Sequence, residues 1–84
     1  MNKALFLDRD GVINVDKNYL YKIEDVEFVD GMFDLVKHYY DNNYLIIIVT
    51  NQSGIARGYF SDKDFTILMN WMRKQFLKNG ITLT

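Results

Sequence analysis

Ile46-Ile-Ile-Val-Thr-Asn-Gln-Ser-Gly-Ile55 passes without a break from an apolar run into a cluster of small polar residues. Upstream, Phe6-Leu-Asp-Arg-Asp-Gly-Val-Ile13 does the same with acids in place of hydroxyls and amides. Tyr44 to Val49 is apolar on both faces, the pattern of a central parallel strand covered on both sides. Ala4 to Leu7 is a shorter apolar run ending at Asp8, which reads as a second buried strand. In open α/β sheets, ligands bind outside the carboxyl ends of the strands. Two such ends side by side would place Asp8 and Asp10 near Thr50, Asn51 and Ser53, with Gly54 letting backbone amides approach an anion closely.

The rest of the chain supplies helices between these strands. Asp10-Gly11 reads as a turn, Asn14 to Asp25 as a loop or small flap, and Val26 to Val29 as a brief extended piece. Asp30 is placed to N-cap a helix running to about Asn42, with Met32, Val36, Tyr39 and Tyr40 on one face. Ser61-Asp-Lys-Asp64 resembles a capping box that opens a second helix to about Asn79. Phe65, Leu68, Met69, Met72, Phe76 and Leu77 form its apolar stripe. Gly80 ends it, and Ile81 to Thr84 looks like the opening of a third strand. Alternation of this kind predicts an α/β fold with a parallel sheet.

Composition narrows the function. Eighty-four residues suffice for one small domain, with 49% hydrophobic and 25% charged residues, as in a folded globular chain. Ten basic against eleven acidic residues give a net charge of −1, which disfavours nucleic acid and anionic membranes as partners. With no cysteine and one histidine, His38, neither a disulfide nor a thiolate or histidine metal site is available. The apolar opening is too short for a signal-peptide core and no run spans a membrane, so the expected location is the cytoplasm.

Asp8 and Asp10, two apart in extended chain, can converge on one point. Close carboxylates bind a hard cation such as Mg2+. They can also divide the labour of phosphoryl transfer, one attacking phosphorus while the other gives a proton to the leaving oxygen and then activates water. An Asp-x-Asp-Gly string by itself is more often an ordinary acidic turn than a catalytic pair, and its place directly after a buried strand reverses that preference. Arg9, Lys17 and Arg57 either counter phosphate charge or are solvated surface charges, with Arg57 the better placed of the three. Gln52 reads as a loop residue.

Asp8-Arg-Asp10-Gly-Val12 and Ile46-Ile-Ile-Val-Thr50 resemble the first two motifs of the haloacid dehalogenase (HAD) superfamily of phosphohydrolases. The longer strings Phe-Leu-Asp-Arg-Asp-Gly and Val-Thr-Asn-Gln-Ser-Gly-Ile-Ala-Arg-Gly, with the stretch between them, resemble its histidinol-phosphate phosphatase-like subgroup over essentially the whole chain. The resemblance implies a HAD-like Rossmannoid parallel sheet with flanking helices. It implies Asp8 as nucleophile, Asp10 as general acid/base, and both as Mg2+ ligands, Asp10 through its main-chain carbonyl. Thr50 would steady the phosphoryl group. Asp16, Lys17, Asn18 and Tyr19 would contact substrate together with Thr50, Asn51, Gln52 and Ser53, and Arg57 is added from its loop position. The substrate would be a small phosphorylated sugar, with histidinol phosphate and a nucleic-acid 3′-phosphate as others within the family.

The family's third motif, a Lys, and its fourth, acidic metal ligands, are expected beyond Thr84, as are the zinc ligands that many relatives carry. Residues 1–84 are therefore expected to be the N-terminal portion of a HAD-like domain, truncated after the second helix. The open sheet edges of such a portion favour self-association. Three functions stay in play: a phosphatase of full or reduced activity, a non-catalytic phosphate- or Mg2+-binding remnant, and a receiver-like regulatory domain. Receivers carry the acidic pair and the phosphorylated Asp on different strands, which fits less well.

Overall fold

The computed structural model describes residues 3–17, 19–50 and 57–84. Strand β1 (Lys3–Asp8) and strand β2 (Tyr44–Val49) pair in parallel, with helix α1 (Met32–Asp41) between them in sequence and helix α2 (Asp62–Lys78) after them. A short 3-10 turn, Ile23–Asp25, sits in the expected flap. Phe28, in the predicted extended piece, bridges to Asn14.

The pairing register sets the sheet's two faces. Leu5 stands opposite Ile46 and Leu7 opposite Ile48, and these side chains meet Met32 and Val36 of α1 and Met72 and Phe76 of α2 in one core. Both helices therefore cover the same side. On the other side Phe6, Leu45 and Val49 are exposed, Phe6 at 64%. Among the described residues β2 is thus covered on one face only, not on both as its apolar run predicts. Residues 81–84, expected to open a third strand, do not form one among the described residues, where the sheet has two strands. Ile81 and Leu83 are nevertheless buried and the Thr84 amide donates to the Ile46 carbonyl at 2.9 Å. No described helix is long and apolar enough to cross a membrane.

Helix α1 does not start at Asp30. Gly31 is its N-cap, in the left-handed region at φ 77°, and no side chain caps the turn. A left-handed cap suits a residue without Cβ, so the chain turns into the helix one residue later than the Asp rule implies. Tyr39 and Tyr40 pack against the core beside buried Met32 and Val36, as the spacing predicts. Helix α2 starts as expected: the Asp64 amide donates to Ser61 Oγ at 3.1 Å and the Ser61 amide donates to Asp64 Oδ2 at 3.2 Å. Ser61→Ala is expected to cost about 1 kcal/mol, read as a lower urea midpoint with unchanged slope. Within the predicted stripe, Leu68, Met72 and Phe76 are buried, whereas Leu77 is 60% exposed, one step past the seam that faces the sheet.

Candidate functional site at the carboxyl edge of the sheet

Asp8 is the last residue of β1 and stands opposite Val49, the last of β2. The Arg9 amide donates to the Val49 carbonyl at 3.0 Å, carrying the pairing one residue further. Thr50, half-buried, follows at once. The two strand ends predicted to lie side by side do so, with exposed Asp8 and Thr50 at one edge.

Beyond Asp8 the chain folds into a tight turn. The Arg9 carbonyl accepts from the amides of Ile13 and Asn14, each at 3.0 Å, and the Gly11 amide donates to the Asn14 carbonyl at 2.7 Å. Buried Ile13 anchors the turn in the core. Asp10 thus lies outside the strand, and two-residue alternation does not decide where its side chain goes; hydrogen bonds do. Arg9 Nε donates to Asp10 Oδ1 at 3.2 Å and Arg9 Nη2 to Asp10 Oδ2 at 3.1 Å. Asn14 Nδ2 donates to Asp10 Oδ1 at 3.1 Å and to the Val15 carbonyl at 3.0 Å.

Arg9 is neither a phosphate counter-charge nor a solvated residue, the two readings its sequence position allows. It is 2% exposed, its guanidinium forks onto Asp10, and Nη2 also reaches the Leu20 carbonyl at 3.4 Å. A buried guanidinium is tolerated only when paired, and a carboxylate fork is its strongest pairing. Among the described residues Arg9 Nη1 and Asn14 Oδ1 are buried without a partner. The sequence alone does not single out Asn14. Its one signal is a side-chain amide four residues after an acid, across a glycine turn.

The flap and the start of α2 meet through aromatic rings. Tyr19 adopts φ 61°, strained for a residue with a Cβ. It stacks on Tyr59 with ring centroids 4.4 Å apart. Arg57 Nη1 donates to Tyr19 Oη at 2.8 Å, and its guanidinium carbon lies 5.9 Å from that ring's centroid. Tyr21 stacks on Phe60 at 5.7 Å. Two predicted substrate contacts, Tyr19 and Arg57, are therefore brought together across 38 residues of chain. Tyr59 and Phe60 escape the sequence reading, although Tyr19-x-Tyr21 facing Tyr59-Phe60 is a legible pattern of paired aromatics. Lys17 lies 3.6 Å from Glu27 in an exposed ion pair, and Asp16 is exposed. Asn18, Asn51, Gln52 and Ser53 lie outside the described residues.

Among the described residues no three His, Cys, Asp or Glu side chains cluster as a ready metal cage. Mg2+ does not need one, since it takes one or two carboxylates and keeps waters or substrate phosphate. The exposed Asp8 carboxylate has the hard-oxygen chemistry that suits it, while the Asp10 carboxylate is engaged by Arg9 and Asn14.

No family model matches the chain. Among solved structures it is similar to a HAD-like phosphatase from Mesorhizobium loti, with a TM-score of 0.87 and 34% identity over 96% of this chain and 39% of that one. It is also similar to the D,D-heptose 1,7-bisphosphate phosphatase of B. bronchiseptica in complex with magnesium and phosphate, with a TM-score of 0.85, 27% identity and 46% of that chain covered. The α/β architecture is HAD-like, and the chain is a relative of HAD-like phosphatases. Its similarity extends to a particular set of them. It is 59% identical, over 96% of its length, to the D-glycero-alpha-D-manno-heptose-1,7-bisphosphate 7-phosphatase of Campylobacter jejuni. It is 50% identical, over 99%, to the corresponding beta-named enzyme of Haemophilus influenzae. The chain spans just under half the length of these relatives, 47% and 45%.

Proposed function

We propose that these residues form the nucleophile-bearing part of a Mg2+-dependent phosphatase domain that removes the 7-phosphate of a D-glycero-D-manno-heptose 1,7-bisphosphate. Its place would be the cytoplasm, in carbohydrate metabolism that feeds lipopolysaccharide biosynthesis. The observation that carries this reading is the register of Asp8 opposite Val49, with Thr50 next in the chain at the sheet's carboxyl edge, which supports Asp8 as the nucleophile. An Asp8 oxygen attacks phosphorus, the bond to the C7 oxygen breaks, and that oxygen takes a proton from Asp10. Water then attacks the aspartyl-phosphate, gives its proton to Asp10 and releases phosphate and the Asp8 carboxylate. Thr50 donates its hydroxyl to the phosphoryl oxygens. Mg2+, held by the Asp8 carboxylate and the Asp10 main-chain carbonyl, would neutralise phosphoryl charge.

Asp16, Lys17, Asn18, Tyr19, Asn51, Gln52, Ser53 and Arg57 contact substrate in this reading. Relatives named for both anomers match this chain, so the anomer is left open. The exposed face bearing Phe6, Leu45 and Val49 and the outer edge of β1 are where copies of the chain would associate.

Phosphate release from the heptose bisphosphate with Mg2+ is the test, comparing the chain with its Asp8→Asn variant. Release that falls to background in the variant is the expected result. A second reading, non-catalytic phosphate or Mg2+ binding, is supported by the Asp10 carboxylate being engaged by Arg9 and Asn14. A folded chain that releases nothing, yet shifts its amide resonances on titration with phosphate and Mg2+, would establish that one instead.

A further inference from the structure

We infer that Arg9 and Asn14 are positioning residues for Asp10, and that they leave Oδ2 as the oxygen that carries its proton. The inference rests on the general acid/base reading of Asp10 given above. Among the described residues Oδ1 accepts two hydrogen bonds, from Arg9 Nε and Asn14 Nδ2, whereas Oδ2 accepts one, from Arg9 Nη2. A carboxylate oxygen has two acceptor positions, so Oδ1 is filled and Oδ2 keeps one for the reacting proton.

Both holders are themselves held. Arg9 is buried and tied to the Leu20 carbonyl, and Asn14 is buried and tied to the Val15 carbonyl. The Arg9 amide donates to the Val49 carbonyl, the Val15 amide to the Glu27 carbonyl and the Val29 amide to the Ile13 carbonyl, which seats the same turn against β2 and against the piece around Phe28. A side chain fixed at both oxygens by anchored donors has one orientation, which is what proton transfer to a particular leaving oxygen requires. Lysine at position 9 would keep the charge but lose the planar fork, so charge and aim can be separated.

The test compares the unaltered chain with Arg9→Lys on two substrates with Mg2+. One is a sugar phosphate, whose alkoxide must be protonated to leave. The other is p-nitrophenyl phosphate, whose phenolate leaves unprotonated. Arg9→Lys is expected to lower kcat for the sugar phosphate by at least about ten-fold with KM unchanged, and for the aryl phosphate by under about three-fold. Equal losses on both substrates, or none, would overturn the inference. Should the unaltered chain turn over neither substrate, the functional reading fails separately, and NMR side-chain couplings decide the positioning. Asp10 is expected to show one χ1 rotamer in the unaltered chain and averaged couplings in Arg9→Lys, with amide shifts away from the turn unchanged. Averaged couplings in the unaltered chain, or a single rotamer in both, would overturn the inference.

Discussion

Asp10→Ala is expected to destabilise the fold by about 3 kcal/mol, at the low end of the cost of stranding one member of a buried ion pair. The reason lies with Arg9 rather than with Asp10. At 2% exposure the guanidinium cannot turn to water, and without Asp10 it keeps, among the described residues, only the long contact to the Leu20 carbonyl. Asp10, at 26%, is wet enough to be rehydrated when its partner goes. Arg9→Met should therefore cost less than half as much, since an apolar chain of similar length fills the site and leaves a carboxylate that reaches solvent. For a chain of this length total stability is on the order of 4–12 kcal/mol, so the first loss is a large fraction of it. Urea unfolding followed by the fluorescence of Trp71, the one tryptophan, measures both. Equal losses would mean that the pair shares one environment, contrary to the asymmetry in exposure.

The same asymmetry shows why the sequence reveals one half of the site better than the other. Asp8 and Thr50 are legible because each is the first polar residue after an apolar strand, and strand ends in a parallel sheet share an edge. The partners of Asp10 are not. They depend on a turn that buries an arginine, and burial of a charged residue is the outcome composition least predicts. Tyr19 and Arg57 could be named singly from their loops, but their mutual contact spans two segments whose approach only the packed helices determine. Helix α2 was readable to its caps because Ser61 and Asp64 satisfy one another locally. Helix α1 was displaced by one residue because Gly31, through its backbone, wins over a side-chain cap at Asp30. The face of β2 that no described residue covers was hidden for another reason: an apolar run states that both faces prefer cover, and says nothing of which face the helices take.

Phe76→Ala is expected to cost about 4 kcal/mol, the range for deleting a fully buried aromatic ring. Phe76 is fully buried on α2 and meets Phe33 of α1 edge-on at 5.1 Å. Phe33 in turn packs on Phe28 at 4.8 Å, and Phe28 stacks on Trp71 at 5.8 Å. One ring thus closes a circuit that joins both helices to the extended piece bridging Asn14. The Phe76 carbonyl also accepts from the Ile81 amide at 3.0 Å, which starts the chain back toward β2. Truncation leaves a cavity bordered by side chains on several elements, which cannot collapse together without moving the sheet. Leu77→Ala, one residue along and 60% exposed, is the internal control and should cost under about 0.5 kcal/mol apart from helix propensity. Because Phe28 reports on the turn at Asn14, the Phe76 variant should also loosen Asp10, visible as averaged side-chain couplings before global unfolding. A Leu77 variant as damaging as the Phe76 variant would mean that α2 is rotated by about a quarter turn from the seating described, since successive helical positions differ by about 100°.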